Sequence, residues 1–203
     1  ALARAVGIEP GSVAGGLAAH VVGPHRAATV GVFGGVEFVD DSKATNPHAA
    51  GPSILAHDRV VWVAGGLLKG ASVDELVAEV GNRLVGVVLL GQDATQISDA
   101  LARHAPNVPV VHVETGDDAE VIAEVGATGG DGGVRRVVLP TGTDSDAVMA
   151  VVVRQAAGMA TPGCSVVLAP AAASLDMFTS YGHRGDSFAA AAATLSESDI
   201  GRA

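Results

Sequence analysis

The chain has 203 residues, 48% of them hydrophobic and 17% charged, with 27 glycines, a composition that fits one compact α/β domain with many tight turns plus a small appendage. A formal net charge of −10 and a pI near 4.9 exclude the basic face that a nucleic-acid or anionic-membrane surface needs, so any phosphate must be met by local cations. Cys164 is the only cysteine, which rules out an internal disulfide and suits a reducing cytoplasm. No run approaches the ~18 uninterrupted apolar residues of a membrane helix.

The chain opens on Ala1 within ALARAVG, already helical in pattern, with no initiator Met and no signal-like n-region. It therefore reads as a piece cut from something longer. Residues 1–6 read as the tail of one helix and 11–20 as another, with Pro10 near its start. Gly23-Pro24 marks a break, and His25-Arg26 places charge just after it. Residues 27–33 and 36–40, separated by Gly34-Gly35, form the clearest hairpin in the sequence.

From there helix and strand alternate. Helices are predicted over 47–56, 73–80 and 94–104, and strands over 60–64, 85–90 and 108–113. The strands are continuous Val/Leu runs and do not alternate with polar residues, as expected where helices cover both faces of a parallel sheet. Residues 114–134 read as an insertion, with a possible helix over 117–125 and then a Gly-rich stretch with the composition of a surface loop. An added strand over 135–139 follows, then a long apolar helix over 144–159, whose Val151-Val152-Val153 run has poor helix propensity. The last strand is 164–169, a polar turn with aromatics spans 174–181, an Ala-rich helix covers 182–194, and the terminal SESDIGRA is expected to fray. The fold class is a doubly wound, mostly parallel, Rossmann-like α/β sheet with one N-terminal antiparallel hairpin strand.

The densest chemical signal is VEFVDDSKATNPHAA at 36–50. Asn46 is an N-cap and Pro47 sits in the first helical turn, where its missing N–H costs nothing. The loop before them feeds a helix N-terminus, and Lys43 and Thr45 add a cation and a hydroxyl, so the loop suits an anion. Asp40 and Asp41 cannot be anion ligands. They could orient Lys43, accept from a sugar hydroxyl or help to bind a cation.

Other sites of chemistry are poorly supported. The nearest approach to a P-loop, Gly65-Gly66-Leu67-Leu68-Lys69-Gly70, has the wrong spacing, and Gly130 and Gly132 lack a third glycine. The seven histidines form no H-x-x-x-H pair. What remains is three loops at the carboxyl ends of strands: the one after Asp40, the one carrying Lys69 and the one carrying Ser174. Ligands bind at that edge in open α/β sheets. Two ammonium groups and two hydroxyls there form a reasonable set for a small dicarboxylate.

DDSKATNPHAA resembles the first strand-loop-helix of the C-terminal domain of the Mur ligases. Three further segments fit in the same order: Gly23-Pro24-His25-Arg26, Ala64-Gly65-Gly66 followed by Lys69, and LAPAAASLDMF at 168–178 with Tyr181 and Arg184-Gly185 after it. The resemblance implies an ATP-dependent, Mg²⁺-requiring, amide-forming ligase of peptidoglycan synthesis that works through an acyl phosphate in the cytoplasm. The wording is nearest the member that adds D-glutamate to UDP-N-acetylmuramoyl-L-alanine. It implies that residues 1–22 are the remnant of a central ATP-binding domain and 23–203 the amino-acid-binding C-terminal domain.

It further implies that Thr45, Lys69, Ser174, Leu175 and Tyr181 hold D-glutamate, and that Arg26, Asp41 and Lys43 meet the nucleotide. Tyr181 departs from an expected phenylalanine. No catalytic residue and no metal ligand is assigned within this chain, and the chain alone is expected to be inactive. A related ligase adding another amino acid, or a non-catalytic ligand-binding module of the same fold, remain as alternatives.

Overall fold

A computed structural model describes residues 2–117 and 134–202. The described helices are α1 (Leu2–Ala5), α2 (Pro10–Ala18), α3 (Pro47–Leu55), α4 (Asp74–Val80), α5 (Ala94–His104), α6 (Ser145–Met159) and α7 (Tyr181–Ala192). The strands are β1 (Ala28–Phe33), β2 (Val36–Asp40), β3 (Val60–Gly65), β4 (Leu84–Leu90), β5 (Val110–Gly116), β6 (Val134–Pro140) and β7 (Ser165–Leu168). They form one sheet in the order β1-β2-β7-β3-β4-β5-β6. The β1–β2 pair is antiparallel and every other pairing is parallel.

Every residue of β3 is buried, which is why VVWVAG reads as an unbroken apolar run: alternate side chains enter opposite layers of the core. Val60, Trp62 and Ala64 pack with Ile54 of α3, Val77 of α4 and Ile97 of α5. Val61 and Val63 pack on the other face with Val152 of α6 and Phe188 of α7. The Val-rich α6 forms despite its propensity because Val148, Met149, Val152, Val153, Ala156 and Ala157 make one buried stripe. Its N-cap Asp144 accepts from the Ala147 amide at 2.9 Å. Asn46 caps α3 in the same way, through the Ala49 amide at 3.0 Å.

Two expectations are corrected. The fifth strand runs to Gly116 and not to residue 113, because β6 pairs with it along its whole length, from Val110↔Val134 to Gly116↔Pro140. The ends of the stretch read as an insertion, Glu114–Gly116 and Val134, are thus strand; the helix expected over 117–125 and the Gly-rich run fall, beyond Asp117, outside the described residues. Residues 196–201 of the C-terminal tail are not frayed. Ser196 and Asp199 close a capping box, the Gly201 amide donates to the Ala157 carbonyl at 3.2 Å, and Ile200 packs on the α6–α7 layer. An apolar anchor outweighs the polar composition around it.

Helices α1 and α2 contain no buried residue, and Leu2, Val6, Leu17 and Val21 are all exposed. In β5, by contrast, His112 is 5% exposed and its Nε2 has no hydrogen-bond partner among the described residues. Burial, and next the charge of Arg136, lower its pKa below 6.5.

Two outcomes follow from this packing. Phe188 is fully buried, so Phe188→Ala should cost about 3–5 kcal/mol in urea unfolding. Because the folded pKa of His112 lies below its unfolded value, its stabilisation is complete above about pH 6.5 and is lost as pH falls towards the folded pKa. The urea midpoint should therefore drop more between about pH 7.5 and about pH 5.5 in the parent than in His112→Gln.

Candidate functional site

Strand β7 lies between β2 and β3, but the helices that follow these strands pack on different layers. The chain leaves β2 and β3 for α3 and α4 on one face, and leaves β7 for α7 on the other. The connections diverge at the carboxyl ends of these three neighbours, a switch point of the kind at which open α/β sheets bind ligands. The three loops singled out by sequence are the loops that meet here.

They are fastened together by Arg184 of α7, which is 1% exposed. Its Nε donates to Ser42 Oγ at 3.0 Å, Nη2 to the Ser42 and Ala172 carbonyls at 3.1 and 3.2 Å, and Nη1 to the Gly65 carbonyl at 3.3 Å. These acceptors belong to the ends of β2, β7 and β3 respectively. Burial pushes the guanidinium down to about 10, against the opposing pull of Asp176 and Asp40, so it remains a cation at neutral pH. Backbone bonds join the same loops: Ala171 N–H donates to the Ala44 carbonyl at 3.0 Å, and Leu67 and Ala173 exchange bonds of 2.8 and 2.9 Å. Gly66 allows this last contact, since a Cβ there would stand 2.1 Å from the Ala173 carbonyl oxygen.

A second knot holds the segment before β1. Asp40 is 2% exposed; His25 Nδ1 lies 2.6 Å from its Oδ2, and the Ser42 amide donates to its Oδ1 at 2.9 Å. The His25 carbonyl accepts from the Lys43 amide at 3.0 Å. Gly185 is required beside this pair, because a Cβ would fall 2.2 Å from His25 Nδ1. Arg26, the next residue, is exposed at the same edge.

The sequence-predicted residues divide by setting. Ser174 is buried at 3% exposure, whereas Leu175 and Tyr181 are exposed at 63% and 38%; Thr45, Asp41 and Lys43 are half-buried, and Lys69 is exposed. Lys43 Nζ lies 4.1 Å above the Tyr181 ring centroid, a cation–π contact that brings together one residue from each predicted group. The Lys69 loop is joined to the Ser174 loop by the Leu67–Ala173 pairing and by the Gly65 amide on the Pro170 carbonyl at 2.9 Å. Among the described residues no three His, Cys, Asp or Glu side chains are grouped as a metal would need.

Sequence reasoning placed Arg184 in a motif without giving it a role. Its buried cation is visible only once three loops converge on it. Arg184→Lys keeps the charge but cannot span four acceptors, and should lose about 2–3 kcal/mol in urea unfolding.

No family model matches the chain. Over all 202 aligned residues it is 72% identical to "UDP-N-acetylmuramoylalanine--D-glutamate ligase" of Rhodococcus jostii, covering 100% of this chain and 40% of that protein. The proteins of the same name from Mycolicibacterium smegmatis and Nocardia farcinica are 58% and 57% identical, over 94% and 100% of this chain and 39% of each relative. The chain thus spans about two-fifths of the length of these relatives. It is similar from end to end to about two-fifths of the length of proteins named UDP-N-acetylmuramoylalanine--D-glutamate ligase.

Proposed function

We propose that this chain is the C-terminal, amino-acid-binding portion of an ATP-dependent ligase that adds D-glutamate to UDP-N-acetylmuramoyl-L-alanine in cytoplasmic peptidoglycan synthesis. In this reading residues 23–203 form that domain and residues 1–22 belong to the preceding one. The exposed apolar side chains of Leu2, Val6, Leu17 and Val21 suit a segment that packs on something outside the chain. The observation that carries the proposal is the fastening of the loops after β2, β7 and β3 to one another, which supports reading their cations and hydroxyls as one binding edge.

ATP supplies the activation, turning the alanyl carboxylate of the UDP-sugar substrate into an acyl phosphate. The residues of this chain supply positioning and charge. Thr45, Lys69, Ser174, Leu175 and Tyr181 would hold D-glutamate with its amine towards the acyl carbon. Lys43 and Arg26 would face the nucleotide phosphates, with Asp41 beside them. In this reading Mg²⁺ is held mostly by the rest of the ligase.

The two lysines separate the roles. In the full-length ligase, Lys69→Ala should raise the KM for D-glutamate roughly ten- to hundredfold and that for ATP much less, the loss expected for one charge-assisted hydrogen bond. Lys43→Ala should chiefly impair ATP use, with a smaller effect on D-glutamate through Tyr181. Steady-state kinetics with each substrate varied in turn measure both; equal losses for the two substrates in Lys69→Ala would sink the assignment.

A further inference from the structure

Asp93 stands directly before α5, where an aspartate ordinarily accepts from the amides of the first helical turn. Its side chain makes no such cap. Instead Oδ2 accepts from the Leu68 amide at 2.8 Å, while Oδ1 accepts from Gln96 Nε2 at 2.9 Å. The Asp93 amide in turn donates to the Gly66 carbonyl at 3.0 Å. The turn after β4 therefore grips the loop after β3 at two points, and α5 forgoes its own cap to do so.

What it grips is the base of the Lys69 turn. The Leu68 carbonyl accepts from the Ala71 amide at 3.1 Å, and between them Lys69 and Gly70 have φ values of 54° and 81°. Two successive left-handed residues under such a bond are the signature of a type I′ turn. Lysine disfavours that conformation, so it persists only where the surroundings hold it. Leu68 is the fixed end: its side chain is 5% exposed in the core and its amide is held by Asp93. The side chain of Lys69 itself is exposed, so the turn, and not packing, sets where that side chain leaves the backbone.

We propose that Asp93 is a positioning residue for Lys69: its carboxylate holds the left-handed turn that carries the ammonium at the carboxyl edge of the sheet. The inference rests on the reading of Lys69 as a D-glutamate ligand.

The test is a cycle in the full-length ligase. Asp93→Ala should raise the KM for D-glutamate about tenfold, with kcat and the KM for ATP within about twofold of the parent. Asp93→Asn keeps an oxygen acceptor for the Leu68 amide and the ability to cap, and should stay within about threefold. In a Lys69→Ala background Asp93→Ala should add less than about twofold, since a residue acting through Lys69 has nothing left to position. Hydrogen exchange at the Leu68 amide should accelerate in Asp93→Ala and remain slow in Asp93→Asn.

An equal rise in KM with and without Lys69 overturns the proposal, as does an unchanged KM in Asp93→Ala where Lys69→Ala raises it. An unchanged KM in Lys69→Ala instead overturns the assignment of Lys69, and the proposal with it.

Discussion

The architecture of the candidate site depends on one buried cation. A guanidinium removed from water is costly unless its donors are met, and Arg184 meets that cost with backbone carbonyls and a serine hydroxyl in place of a single carboxylate. The consequence is geometric. A carboxylate would have tied Arg184 to one residue, whereas Ser42, Gly65 and Ala172 tie it to the ends of three strands, so none of the three loops can shift without stranding a donor. Ser42 extends the network by donating its Oγ–H to the Tyr181 carbonyl at 2.7 Å, which brings in the start of α7.

This rigidity supports strain. Among the described residues, His25, Ala27, Lys69 and Ala171 are the non-glycine positions with positive φ. His25 and Ala27 flank Arg26, Lys69 tops the loop after β3, and Ala171 lies just past β7. Such conformations cost of the order of 1–3 kcal/mol each and survive where neighbours over-determine them. Here the neighbours are visible: the Lys43 amide on the His25 carbonyl, the Ala171 amide on the Ala44 carbonyl, and Asp93 beneath Lys69. Stability supplied by the two apolar layers is thus spent in part on presenting cations at one edge.

Much of the fold was legible in sequence because its strong signals are local. The hairpin at Gly34-Gly35, the capped starts of α3 and α6, and the Val-rich strands all carry their cues within a few residues. The reading fell short where the deciding partner is distant in the chain. Nothing in Val110–Gly116 marks three extra strand residues; β6 does so from beyond the undescribed stretch by pairing with them. Likewise Ser-Glu-Ser-Asp looks like a tail until Ile200 is seen to pack against α6 and α7.

By itself, then, the sequence determined that this is a doubly wound α/β chain with three cation- and hydroxyl-bearing loops at strand ends. Those properties follow from composition, period and caps, which act over a turn or two. Only the tertiary structure decided that β7 inserts between β2 and β3, that Arg184 is buried where their loops meet, that Lys43 rests on Tyr181, and that Asp93 serves a loop instead of its own helix. Each of these joins residues 12 or more positions apart, and a hydrogen bond or ring contact across such a separation exists only once the sheet order has brought its partners together.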